Sequence, residues 1–168
     1  MLDDPRMTKS TFVEGYAFSG EIKYAPYKND PRISHAHGWA TGPTSTLTFL
    51  IAGIQLEEAG GKKWLIKPSL GDLMTAEAGF KTSLGDFSVS NKKDESGGFE
   101  MKFETPEGTE GGLSVEYPDG GGTLMVQSMT TGETKMIEIT VDQEADRIEV
   151  DGLAGGKWTV QFTPNCDP

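Results

Sequence analysis

From residue 63 to residue 163 the chain keeps to one pattern. Short runs in which every second residue is apolar alternate with clusters of glycine, aspartate and serine. In "FEMKFE" (99–104), Phe99, Met101 and Phe103 fall on one side, and Glu100, Lys102 and Glu104 on the other. A period of two is the signature of an extended chain with one face buried. Runs of this kind occupy 63–68, 78–83, 85–91, 97–105, 111–118, 122–129, 135–142, 146–153 and 156–163. Turn signals separate them at 84–86, 96–98, 119–122, 131–133 and 155–156. About eight short strands so spaced predict an antiparallel β-sandwich, and the alternation predicts sheets solvated on one face. Trp64 and Trp158 lie within apolar alternations and are expected in the core. The acidic residues of these strands fall on the outward phase or in turns, where charged side chains ordinarily sit.

The sequence changes character near residue 58. Before that point aromatic residues are dense (Phe12, Tyr16, Phe18, Tyr24, Tyr27, Trp39, Phe49), and Pro5, Pro26, Pro31 and Pro43 interrupt the chain. One helix is predicted here. Thr41-Gly42-Pro43 opens it, because proline is tolerated in a first turn. Leu47, Leu50, Ile51 and Ile54 recur at helical spacing, and Gly53 can close the helix in the left-handed conformation. A further helical turn is expected around 6–13. The division is therefore a partial helical segment over 1–58 and a β-sandwich over 59–168, mainly β overall.

Composition narrows the partners. With 168 residues there is material for one domain with a sizeable core, or for one domain and an appendage. A formal net charge of −11 excludes the basic footprint that nucleic acids and anionic membrane surfaces require. The longest apolar run, Leu47 to Ile54, is broken by Thr48 and Gly53 and is too short to span a bilayer. Cys166 is the one cysteine, so no internal disulfide forms. The opening "MLDDPRMTKS" has no basic and apolar leader and reads as the middle of a longer protein. This leaves the compartment open, with any parent protein a candidate for secretion.

The residues that could carry chemistry precede the strands. Glu14 sits among Phe12, Val13, Tyr16 and Phe18, and a carboxyl in apolar surroundings is a candidate acid or base. The alternative is local pairing with Lys9 or Arg6. His35 and His37, the two histidines of the chain, stand one residue apart beside Trp39. A strand would point both imidazoles to one side, with Glu14 as a third metal ligand, but no Cys or Asp cluster completes a zinc pattern. A Ser-His-Asp triad has no nucleophile elbow to support it. A third possibility is a sugar site, in which Trp and Tyr stack on a pyranose while His and carboxylates bond its hydroxyls.

Three stretches, "MLDDPRMTKSTFVEGY", "YAPYKNDPRISHAHGWATGPTSTLTFLIAGI" and "WLIKPSLGDLMTAEAGFKTSLGDFSVS", resemble in order and spacing the C-terminal part of fungal-type α-L-rhamnosidases of glycoside hydrolase family 78. The resemblance runs from residue 1 to about 115 and is more diffuse beyond. It implies that 1–58 is the end of an (α/α)6 catalytic barrel and the rest a C-terminal β-sandwich domain. It implies an inverting hydrolase of terminal α-L-rhamnosides that uses no cofactor and no metal. By position, Glu14 matches the family's general base, His37 its sugar-contacting histidine, and Trp39 the tryptophan that shapes the pocket. His35 receives no role. The family's general acid and most of its pocket have no counterpart in these residues, so the resemblance implies that this chain alone is inactive. A rhamnose-containing glycoside is the expected partner once a barrel is complete. Association through Phe12, Tyr16, Leu47 and Leu50 is also expected. The competing expectation is a non-catalytic sandwich that binds carbohydrate or packs on another protein.

Overall fold

A computed structural model describes residues 5–6, 11–23, 33–116, 121–139 and 146–165. The chain divides into two compact units, Met1–Thr46 and Leu47–Pro168. In the first, the segments around Glu14 and Ser34 are joined through their backbones. Glu14 N–H donates to Ser34 O at 2.8 Å, and His37 N–H donates to Phe12 O at 3.1 Å. A tight hairpin follows Glu14: Tyr16 and Ile22 form an antiparallel bridge, and Gly20 N–H returns to Ala17 O. Most of the helical turn expected over 6–13 lies outside the described residues, and residues 11–13 at its end are not helical.

The predicted helix forms, but in three styles. A 3-10 turn at Gly38–Thr41 leads into α1 (Gly42–Thr46). A π turn, Leu47–Ile51, closes it with Ala52 N–H bonded to Leu47 O and Gly53 N–H to Thr48 O. Gly53 has φ 92° and ends the run, as its position suggested. Ile54 departs from expectation. Its spacing from Ile51 mimics a helical face, yet it begins strand β1 (Ile54–Leu56) and pairs with Ile66. Full burial in the β core outweighs the local periodicity.

The second unit is the sandwich. Its strands are β1, β2 (Lys63–Ile66), β3 (Thr75–Thr82), β4 (Gly85–Lys93), β5 (Phe99–Glu116), β6 (Gly122–Ser128), β7 (Thr134–Ile139) and β8 (Arg147–Pro164). Two features differ from the sequence reading. The runs at 97–105 and 111–118 are one strand, β5, and the runs at 146–153 and 156–163 are one strand, β8. What looked like turns are corners. The register between β5 and β8 breaks between Thr105 and Glu110, opposite Gly156 and Ala154. Gly155 sits at this corner, where an added Cβ would lie 1.9 Å from Pro106 O. Only glycine admits that approach. The second difference is that β2 runs parallel to β5, against the antiparallel rule of the other pairs.

The corners make two layers from one connected sheet. The first half of β5 pairs with β4 and the second half of β8, which β6 and β7 extend. The second half of β5 pairs with β2 and the first half of β8. The core lies between the layers. Trp64 is fully buried, stands edge-on to Phe103 at 5.8 Å, and its indole N–H donates to Thr109 Oγ1 at 2.9 Å. Phe103 stacks on Trp158, which is 4% exposed. Each such aromatic removes a large apolar surface from water, contributing about 1.5–3 kcal/mol. Among the described residues, no helix is long and apolar enough to cross a membrane.

Candidate functional site

The three residues singled out in the first segment come together. The backbone ladder between residues 12–14 and 34–37 places Glu14 and His37 on neighbouring strands of chain. The Glu14 carboxylate is almost closed to solvent, its side chain 2% exposed, and Oε2 accepts the Ser34 amide at 3.0 Å. His37 Nδ1 lies 3.6 Å from the same oxygen, and its side chain is 29% exposed. Trp39 closes the group. Its indole N–H donates to Glu14 O at 3.0 Å, and its ring lies against the His37 ring with centroids 4.3 Å apart and planes tilted by 41°. Trp39 is nonetheless 62% exposed.

Each contact has a local cause. The 3-10 turn that starts at Gly38 swings Trp39 back over His37, and the indole bond to Glu14 O fixes the ring. A carboxylate buried here needs donors, and Ser34 N–H supplies one; the His37 imidazole lies beside it at 3.6 Å, beyond hydrogen-bond distance. The Ser34 amide was not foreseen, because a backbone donor leaves no mark on residue type. Of the two alternative partners expected, Lys9 lies outside the described residues, and Arg6 donates to Gly20 O at 3.3 Å. His35 stands apart: it is exposed, and its carbonyl accepts the Thr11 hydroxyl at 2.6 Å. Among the described residues, no three His, Cys, Asp or Glu side chains converge to hold a metal ion. The cluster is thus a buried carboxylate, a part-exposed imidazole and an exposed, oriented indole. It can accept a proton, bond hydroxyls and present a flat apolar face.

Of the residues expected to offer an apolar face, Leu47 and Leu50 are each 55% exposed, Tyr16 is exposed, and Phe12 is half-buried.

Residues 53–131 match the profile of the bacterial alpha-L-rhamnosidase C-terminal domain. The chain is similar to the C-terminal part of α-L-rhamnosidases. The fold agrees. The alpha-L-rhamnosidase of Dictyoglumus thermophilum superposes with a TM-score of 0.60 at 22% identity, over 78% of this chain and 14% of that one. The Streptomyces avermitilis alpha-L-rhamnosidase, whose structure was solved with L-rhamnose, gives 0.56 at 21% identity, over 86% of this chain and 12% of that one. No curated protein sequence matches the chain. The chain therefore spans about one-seventh or less of the length of these rhamnosidases. The matched profile starts at Gly53, so it covers β1 to β6 and not the Glu14–His37–Trp39 cluster.

Proposed function

We infer that the chain is the C-terminal portion of an inverting α-L-rhamnosidase, and that its first segment brings the general base to the sugar. The observation that carries this is the cluster itself: a buried carboxylate in contact with an imidazole, which is covered in turn by a fixed, exposed indole. Inversion uses two carboxyl groups, roughly 6.5–9.5 Å apart, with a water between one of them and the sugar. In this reading Glu14 takes the proton of that water. The general acid belongs to a part of the enzyme that these 168 residues do not include.

The remaining roles follow from exposure. In this reading water comes to Glu14 past His37, the part-exposed edge of the cluster, and the outer nitrogen of His37 bonds a sugar hydroxyl. Trp39 cannot rotate freely while its N–H is tied to Glu14 O, so it offers a preset face to the apolar side of a rhamnose ring. Each proton transfer contributes about 10²–10⁴-fold to the rate. A base without its acid loses one of these factors and much of the pocket, so the chain alone should turn over no glycoside.

The test is hydrolysis of an aryl α-L-rhamnoside followed by proton NMR. It is run on the 168-residue chain and on the protein translated from the complete reading frame that contains it. No turnover by the short chain, with β-L-rhamnose as first product of the longer one, is the expected result. Robust turnover by the short chain, or α-L-rhamnose as first product, would overturn the proposal.

A further inference from the structure

A strand at the edge of a sheet keeps a row of backbone N–H and C=O groups without a partner strand. The layers of the sandwich end at β1, β3, β7 and the first half of β8. Of these, β3 holds eight residues in unbroken register with β4, and among the described residues it pairs with no other strand. It lies wholly within the second unit.

An identical strand can extend such an edge by running antiparallel to it across a two-fold axis. Residues directly opposite each other then share a face. A strand therefore suits itself when residues of opposite charge stand on one face, equally far from the axis. β3 meets that condition. Its outward face carries Thr75, Glu77, Gly79 and Lys81, all exposed, and its inward face Ala76, Ala78, Phe80 and Thr82, all half-buried. With the axis at Gly79, Glu77 stands opposite Lys81 of the second copy, and Lys81 opposite its Glu77. On the inward face Ala78 stands opposite Phe80, a small residue against a large one. Gly79 puts no side chain on the axis.

The neighbouring strand favours the same register. Lys81 Nζ lies 3.6 Å from Asp86 Oδ2 on β4, and Glu77 accepts the Ser90 hydroxyl at 2.9 Å. A second copy would continue each row as Asp86, Lys81, Glu77 and Ser90, with charges alternating in sign. Phe80 is already stacked on Phe87 at 5.5 Å and stands edge-on to Phe49 at 5.9 Å, so its position is set before association. β3 itself carries one acid and one base, whereas the chain as a whole, at −11, repels a copy of itself.

The other edges fail the same test. β1 has three residues. In β7, Lys135 shares the core-side face with Val126 and Glu138 the outer face with Thr123, so the two never stand opposite each other across a two-fold axis. In the first half of β8, Arg147 is already bonded to Ser114 and to Pro68 O, and Lys135 Nζ reaches Asp151 O at 3.5 Å.

We propose that β3 is a self-association edge: two copies of this chain pair antiparallel through β3 about a two-fold axis at Gly79. The pairing is a property of the sandwich and does not rest on any catalytic role for Glu14.

The experiment is sedimentation equilibrium of the 168-residue chain, in reductant to keep Cys166 from joining two copies. Between about 10 μM and 1 mM a reversible monomer–dimer equilibrium is expected, since so small an interface associates weakly. Glu77→Lys and Lys81→Glu each place like charges opposite one another twice per dimer, and each should weaken it by about tenfold or more. The double variant restores opposite charges in the reverse order and should regain most of the parent's affinity. Both side chains are exposed, so the variants are expected to fold, and their thermal unfolding checks this. Amide exchange of the parent needs no variant: β3 amides should slow as concentration rises through the dimer range, and β7 amides should not. A monomer throughout the range would overturn the proposal, as would a dimer whose β3 amides exchange unchanged. Single variants that dimerise like the parent, or a folded double variant that stays monomeric, would overturn it too, and would point to association through another surface.

Discussion

At the scale of single residues, what was legible depended on whether a side chain carried the interaction. Glu14, His37 and Trp39 were identifiable because a carboxyl among aromatics and a histidine beside a tryptophan are unusual settings, and the structure brings all three together. Ser34 was not legible, because its backbone amide makes the bond. Asn91 is legible in the sequence as a polar residue in phase with Phe87 and Val89. Trp39 offers a direct check of the cluster's exposure. Trp64 and Trp158 are buried, so Trp39→Phe should remove most of the acrylamide-quenchable fluorescence; unchanged quenching would show that the indole is not the exposed one. Asp94 supplies a pH test. The Ser96 hydroxyl, then the Gly98 and Ser96 amides, hold its carboxyl below the usual carboxylate range. A folded-state pKa lowered in this way adds stability above the unfolded value, and that stability fades as pH falls through the folded value. The Tm difference between the parent and Asp94→Asn should therefore be constant at neutral pH and shrink toward zero in acid. A difference that grows on acidification would contradict the hydrogen-bonding assigned to Asp94.

At the scale of elements, the period of two identified the strands but not their continuity. Pro106 and Gly108 in β5 and Gly155–Gly156 in β8 are turn residues by composition, and the chain uses them to bend a strand instead of ending it. The pattern of one chain cannot distinguish these outcomes, because the choice is made by the partner strand. The parallel pairing of β2 with β5 was hidden for the same reason. The corner gives a sharp prediction. Gly155→Ala places a methyl against Pro106 O and the Thr109 hydroxyl, and should cost about 1–3 kcal/mol or more in urea unfolding. By contrast, Gly152→Ala meets no atom within 4 Å but carries φ 70°, so its smaller loss isolates backbone strain from the clash. Trp64→Ala should cost about 3–5 kcal/mol, since it empties the contact between the layers and removes the indole N–H from the Thr109 hydroxyl, which keeps only its bond to Pro106 O. A loss under about 1 kcal/mol would place Trp64 outside the core.

At the scale of the whole molecule, the sandwich and the family likeness are matched by independent observations, while the chemistry is inferred from one small cluster. The profile match lies in the sandwich, and the proposed base lies before it. The chain covers 14% and 12% of the two rhamnosidases it superposes on, and the proposed catalytic action would need the rest of such an enzyme. The measurement that bears most directly on that action is kcat for an aryl α-L-rhamnoside, in the protein translated from the complete reading frame, with and without Glu14→Gln. Glutamine keeps the size of the side chain and its bond to Ser34 N–H but cannot take a proton from water. A fall in kcat of about 10²–10⁴-fold, with the unfolding midpoint little changed, is the expected result. A variant that retains kcat within a few-fold would contradict Glu14 as the base and leave the cluster a structural tie between two segments of chain.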